Sequence, residues 1–151
     1  MIGCSQGPDH DRFPIRFFSD GADIAAVGEG LLAATLPRAA WTHEAHLAAT
    51  IWLIRMRPDV DLDREIGTII ARYNVASGGV NDDTQGYHDT ITRTYLASTR
   101  AFVAARPPDE PLVATVNALL AAPCGARDWP LRFYTRERLM SVAARRGYIA
   151  P

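Results

Sequence analysis

The stretch THEAHLAATIWLIRMRP, residues 42–58, decides the fold, because it carries the start and stop signals of one helix. Thr42 is a side chain suited to an N-cap, and Pro58 ends the run that follows, so the pattern predicts a helix over 43–57. Two histidines, His43 and His46, open it three residues apart with Glu44 between them.

Working outward, the period stays helical. Residues 22–35 (ADIAAVGEGLLAAT) repeat apolar positions at three- and four-residue spacing up to Pro37. Asp61 caps a third helix over 62–76, with Asp63 and Glu65 in the first turn, where the helix dipole favours negative charge. The segment SGGVNDDTQG, 77–86, reads as a loop. A fourth helix runs from Tyr87 to Ala105 and stops before Pro107-Pro108. Asp109, Glu110 and Pro111 open a fifth that ends near Pro123. Thr135 caps a sixth, TRERLMSVAARR, which Gly147 closes. No segment alternates like a strand and no repeat is present. The expected architecture is an all-α, single-domain bundle of five to six helices over residues 20–151. Residues 1–19 form an extended lead-in whose Phe13, Phe17 and Phe18 pack on the body.

Composition narrows the function classes. The chain has 151 residues, a 48% apolar share and a formal net charge of −1, and all 16 of its basic residues are arginine. A balanced charge gives no global field for nucleic acid, and no apolar run is long enough to span a membrane. Cys4 and Cys124 stand alone without a CxxC partner and read as free thiols of a reducing compartment. No basic and apolar leader precedes Cys4, so a cytoplasmic location is expected. The glycines of SGG, 77–79, have no preceding strand and no following G-K-[ST], so they close a helix rather than cradle a nucleotide. Asn81-Asp82-Asp83 lacks the ligand spacing of a calcium loop. Arg136, Arg138, Arg145 and Arg146 read as a solvated basic face on the last helix.

The histidines carry the chemistry. Short connections make successive helices antiparallel neighbours, which brings the starts of the second and fourth helices to one end of the bundle. Those starts hold His43, His46 and His88, and the loop would bring Asp82 and Asp83 to the same end. Helix N-termini disfavour imidazolium, and neutral imidazole either binds metal or acts as a base. On this reading His43, His46 and His88 are metal ligands, leaving an open position, and zinc, nickel or iron(II) are all acceptable. Glu44 or a loop aspartate orients them or serves as base. Tyr87 stands with Glu44 as a catalytic candidate, and Thr92, Tyr95, Asp82, Asp83 and Arg38 as substrate or outer contacts. The same residues equally suit a metal-free pocket for a small molecule, or a structural hydrogen-bond network in a dimer-forming bundle, because H-x-x-H lacks the spacing of the zinc-protease motif.

Three segments resemble a family of small bacterial helical proteins. Its members carry an aromatic-x-H-x-x-H-[LV] segment, a Y-H-x-T-[IL]-T segment and a closing F-Y-[ST]-x-x-x-L…A-R block. Here these are Trp41, His43, His46 and Leu47; Tyr87, His88, Thr90, Ile91 and Thr92; and Phe133, Tyr134, Thr135, Leu139, Ala144 and Arg145. The resemblance implies a helical fold and brings no activity. A second similarity is architectural, to DinB-like bundles that place three helix-borne histidines around a metal, with the single histidine first and the spaced pair later, the reverse of the order here. The resulting expectation is a divalent-metal site, with metal-dependent hydrolysis or transfer on a small molecule as its chemistry. A metal-free ligand pocket or structural bundle is the alternative.

Overall fold

The computed structural model describes residues 14–151. Five longer helices build the bundle: α1 (Gly21–Ala33), α2 (His43–Met56), α3 (Leu62–Ala76), α4 (Asp89–Ala104) and α5 (Leu112–Ala121). Two short ones, α6 (Arg136–Leu139) and α7 (Val142–Arg146), close it. Single 3₁₀ turns lie at Arg38–Ala40, Pro123–Gly125 and Trp129–Arg132, and the described residues hold no strand. The chain is all-α, as its period predicts.

Side-chain caps set the helix starts. Asp20, Thr42 and Asp61 accept from the N–H three residues on, at 3.0, 3.1 and 3.4 Å. Helix α1 ends at Ala33, earlier than its apolar period suggests, because Ala34 turns left-handed at φ 57° and returns its N–H to Gly30 and Leu31. The expected sixth helix is two. Ser141 takes a cap position, its hydroxyl accepting from Ala144 N at 3.2 Å, and so starts α7 instead of continuing α6.

Helix α2 is the centre, packed on α1, α4 and α5. Its Leu47, Ala48, Ile51 and Leu53 are buried with Ile24, Leu31, Val116, Leu119 and Leu120. The α1–α2 crossing is close because Gly28 sits on the Trp52 ring; a Cβ there would lie 2.2 Å from Cε3. The principal neighbour of α3 is α1 rather than α2. Tyr73 Oη donates to Leu36 O at 3.0 Å across that contact.

Of the lead-in, Ile15 and Phe18 pack on the core, and Phe18 exchanges two hydrogen bonds with the Asn117 amide at 3.0 and 2.9 Å. Phe17 is exposed. Phe13, His10 and Cys4 lie outside the described residues. At the other end the last residues strap the start of α4. Thr90 Oγ1 donates to Gly147 O and accepts from Ile149 N, both at 3.1 Å, and Tyr134 Oη donates to Ile149 O at 2.7 Å. Among the described residues no helix is long and apolar enough to cross a membrane.

Candidate functional site: a two-chambered cavity at the helix starts

The starts of α2 and α4 do meet. With α3 and the end of α1 they enclose a cavity of about 410 Å³ lined by His43, His46, Thr92, Tyr95 and Arg127, against apolar walls from Leu31, Trp41, Leu47, Ile66, Ile70 and Ile91. A second cavity of about 400 Å³ abuts it. The two share Trp41, His46, Ile70, Ile91 and Thr92, and the second adds Asn74, Tyr87, His88 and Arg145.

Each first-chamber imidazole is fixed by one backbone carbonyl. His43 Nε2 lies 2.8 Å from Gly125 O, and His46 Nδ1 lies 2.6 Å from Thr42 O. A carbonyl only accepts, so those nitrogens carry the protons. Burial lowers the pKa of both rings, that of His46 to about 4, so both are neutral at pH 7. Neutrality leaves a lone pair on His43 Nδ1 and on His46 Nε2. Neither atom has a hydrogen-bond partner among the described residues. The Trp41 ring lies over His46 with centroids 3.7 Å apart, and Tyr95 meets His43 edge-on at 5.7 Å. Tyr95 Oη donates to Ala126 O at 2.6 Å, and burial raises its pKa, so it stays protonated.

His88 is committed differently. It is the N-cap of α4 rather than a residue within the helix: Nδ1 accepts from Ile91 N at 3.3 Å, and Nε2 donates to Leu139 O at 2.8 Å. Both ring nitrogens are used, so it has no lone pair left for a cation. Among the described residues no three His, Cys, Asp or Glu side chains are grouped so as to hold a metal ion. The expected ligand set of His43, His46 and His88 therefore does not fit a three-nitrogen metal centre, although all three rings border the joined chambers.

The carboxylates expected at the site face elsewhere. Adjacent helix residues point about 100° apart, so a His43 that faces the cavity turns Glu44 away. Glu44 is buried beside the lead-in, with Oε1 3.4 Å from Arg16 N and 3.6 Å from the Arg127 guanidinium, and Oε2 unpartnered. It lines a separate cleft with Phe17 and Phe18 and cannot act as base in the histidine chamber. Asp82 folds onto its own loop, accepting from Thr84 and Gln85, and these bonds lower its pKa. Asp83 pairs with Arg146 at 2.7 Å on the surface. Arg38 is exposed and reaches Asn74 and Ser77 at 3.5 and 3.4 Å. None of these three lines either chamber, because Asn74 and Asn81 tie the loop back onto α3. Tyr87 does line the second chamber. Its hydroxyl donates to Asp89 at 2.6 Å, and burial with that carboxylate raises its pKa, which removes it as a base.

The sequence reading passed over three residues that line the site. Trp41 entered only as the aromatic of the H-x-x-H segment, Arg145 read as part of a solvated face, and Arg127 gave no signal. Arg145 is half-buried, its Nη1 donating to Gly86 O at 3.0 Å and Tyr87 O at 3.4 Å. The only cue to it was its place in the closing A-R block. Cys124 is a free thiol whose pKa burial raises, which disfavours the thiolate. Comparison of the chain with family models, with curated proteins and with solved structures found no match.

Proposed function

We propose that this protein binds a small molecule, without a metal, in the cavity of His43 and His46. The observation that carries the reading is the state of those two rings. Each is kept neutral by burial and oriented by one carbonyl, and each keeps one acceptor nitrogen at a chamber that is otherwise mostly apolar. Apolar walls with a few placed polar groups, at this volume, are the usual composition of a ligand pocket. The ligand has an apolar body for Trp41, Leu47, Ile66 and Ile91, and a hydrogen-bond donor for the imidazoles.

The test is a ligand-observed NMR screen of neutral aromatic and amide fragments against wild type and His46→Leu. Hits that vanish in a folded variant support the pocket; no hit at millimolar concentration refutes it. Elemental analysis of protein purified without chelators runs alongside. Near-stoichiometric zinc, nickel or iron that is lost in His88→Ala would restore the metal reading and overturn this one.

A further inference from the structure

The charges around the two chambers specify more than a generic ligand. Among the described residues no aspartate or glutamate lines either chamber, while each has one arginine on its wall, Arg127 in the first and Arg145 in the second. The two arginines differ. Arg127 has a carboxylate beside it, Glu44 at 3.6 Å. Among the described residues Arg145 hydrogen-bonds the carbonyls of Gly86 and Tyr87 alone, through Nη1. A guanidinium has five N–H donors, so most of the Arg145 fork remains for a ligand. The carboxylates of the adjoining loop end and helix start are already engaged. Asp89 accepts from Arg93 Nε at 3.1 and 3.0 Å and from Tyr87, and Asp83 is bound twice by Arg146 at 2.7 Å.

We propose that the ligand is a small organic acid, its apolar body in the first chamber and its carboxylate on Arg145 in the second. This rests on the pocket reading above. Both chambers border Trp41, His46, Ile91 and Thr92, so a molecule seated against the stacked Trp41–His46 pair has wall in each. The neutral imidazoles add no charge of their own and accept from donors along the ligand's body. An amine meets two arginines and no carboxylate there. A carboxylate meets a fork whose geometry matches its two oxygens.

Calorimetric titration with 4-(4-hydroxyphenyl)butanoate, its amide and the matching primary amine, all with the phenol as donor for the imidazoles, tests the charge directly. Wild type should bind the acid about tenfold more tightly than the amide, as a charge-assisted bond implies, and the amine least. Arg145→Gln should abolish the acid-over-amide preference, Arg145→Lys should retain part of it, and Arg146→Gln, on the outer surface, should leave it intact. The wild-type Arg145 Nε–H NMR signal should move with the acid and not with the amide, which reads the same contact if the Gln variant fails to fold. Equal binding of acid and amide, or tighter binding of the amine, overturns the organic-acid inference and leaves the pocket standing. Failure of all three probes overturns it as well, and the fragment screen then decides the pocket separately.

Discussion

Neutral imidazole is the chemical premise of the site, and it predicts an acid-linked loss of stability that can be attributed to one residue. The pKa of His46 falls from an ordinary 6.5 to about 4, first because the ring is buried, and further because His43 and Arg127 lie near it. The folded pKa is thus below the unfolded one. The unfolded chain takes up the proton first as pH falls, so the contribution is whole above pH 6.5 and is lost on descent toward pH 4. The shift corresponds to roughly 3 kcal/mol across the full window, of which about 2 kcal/mol is gone by pH 5. His43 and His88 are shifted the same way and add to the slope. Asp59, Asp63 and Asp82 have lowered pKa values, and Glu110, held by Arg106 and Thr115, is down to about 2, so their losses come at lower pH. Urea unfolding of wild type and His46→Gln at pH 7.5, 6 and 5 measures the difference. The variant should lose about 2 kcal/mol less than wild type between pH 7.5 and 5. The His46 Cε1–H signal should not titrate above pH 5. A His46 pKa at or above 6.5, or parallel stability curves for the two proteins, would refute the reasoning and remove the acceptor role from the pocket.

Three further outcomes follow from the packing. Gly28→Ala forces a methyl against Trp52 and should destabilise by about 1–3 kcal/mol in urea unfolding, despite the better helix propensity of alanine. Ala34→Gly relieves the left-handed φ of 57° at the end of α1 and should stabilise by up to about 1 kcal/mol in the same assay. His88→Ala removes the α4 cap and the bond to Leu139 and should cost about 2 kcal/mol, with His88→Asn recovering about half as a cap alone; equal stability of the two variants argues against the capping role.

What the sequence makes legible is what depends on near neighbours. Thr42, Asp61 and Thr135 act as caps where they read as caps, and Pro58 and Pro107 follow the helix ends they predict. The meeting of the α2 and α4 starts is also legible, although α3 packs on α1 rather than on α2 and a long loop joins it to α4. What is not legible depends on distant partners. His88 scans as the first position of a helical stripe, and only the carbonyl of Leu139, 51 residues away, shows that its ring is fully bonded. The loop with Asp82 and Asp83 reads as facing the histidines, yet Asn81, accepting from Asn74 and donating to Ala71 O, turns it onto α3. Glu44 next to His43 reads as a catalytic companion, and helical geometry alone sends it to another face.

The Y-H-x-T segment and the closing block are coupled in the fold, because each supplies bonds to the other. His88 and Thr90 on one side take the carbonyls of Leu139 and Gly147, and Arg145 on the other takes those of Gly86 and Tyr87. The second chamber therefore takes part of its wall, Met140 and Arg145, from the closing block, whereas no residue after Arg127 lines the first. Removing residues 147–151 separates the two. Thr90 loses a donor and an acceptor, and Tyr134 and Arg138 lose the carbonyls of Ile149 and Ala150. At about 0.5–1.5 kcal/mol for each buried bond, and little for the exposed Arg138, the loss is about 2–3 kcal/mol. Amide hydrogen exchange should rise in the first turn of α4 and stay slow in the middle of α2. Neutral fragments should still bind, and the preference for acid over amide should fall as Arg145 loses its setting. Unchanged exchange at Ile91 and Thr92 in the truncated chain would show that the strap holds nothing. Loss of fragment binding together with the preference would show that the chambers are one site with a single wall.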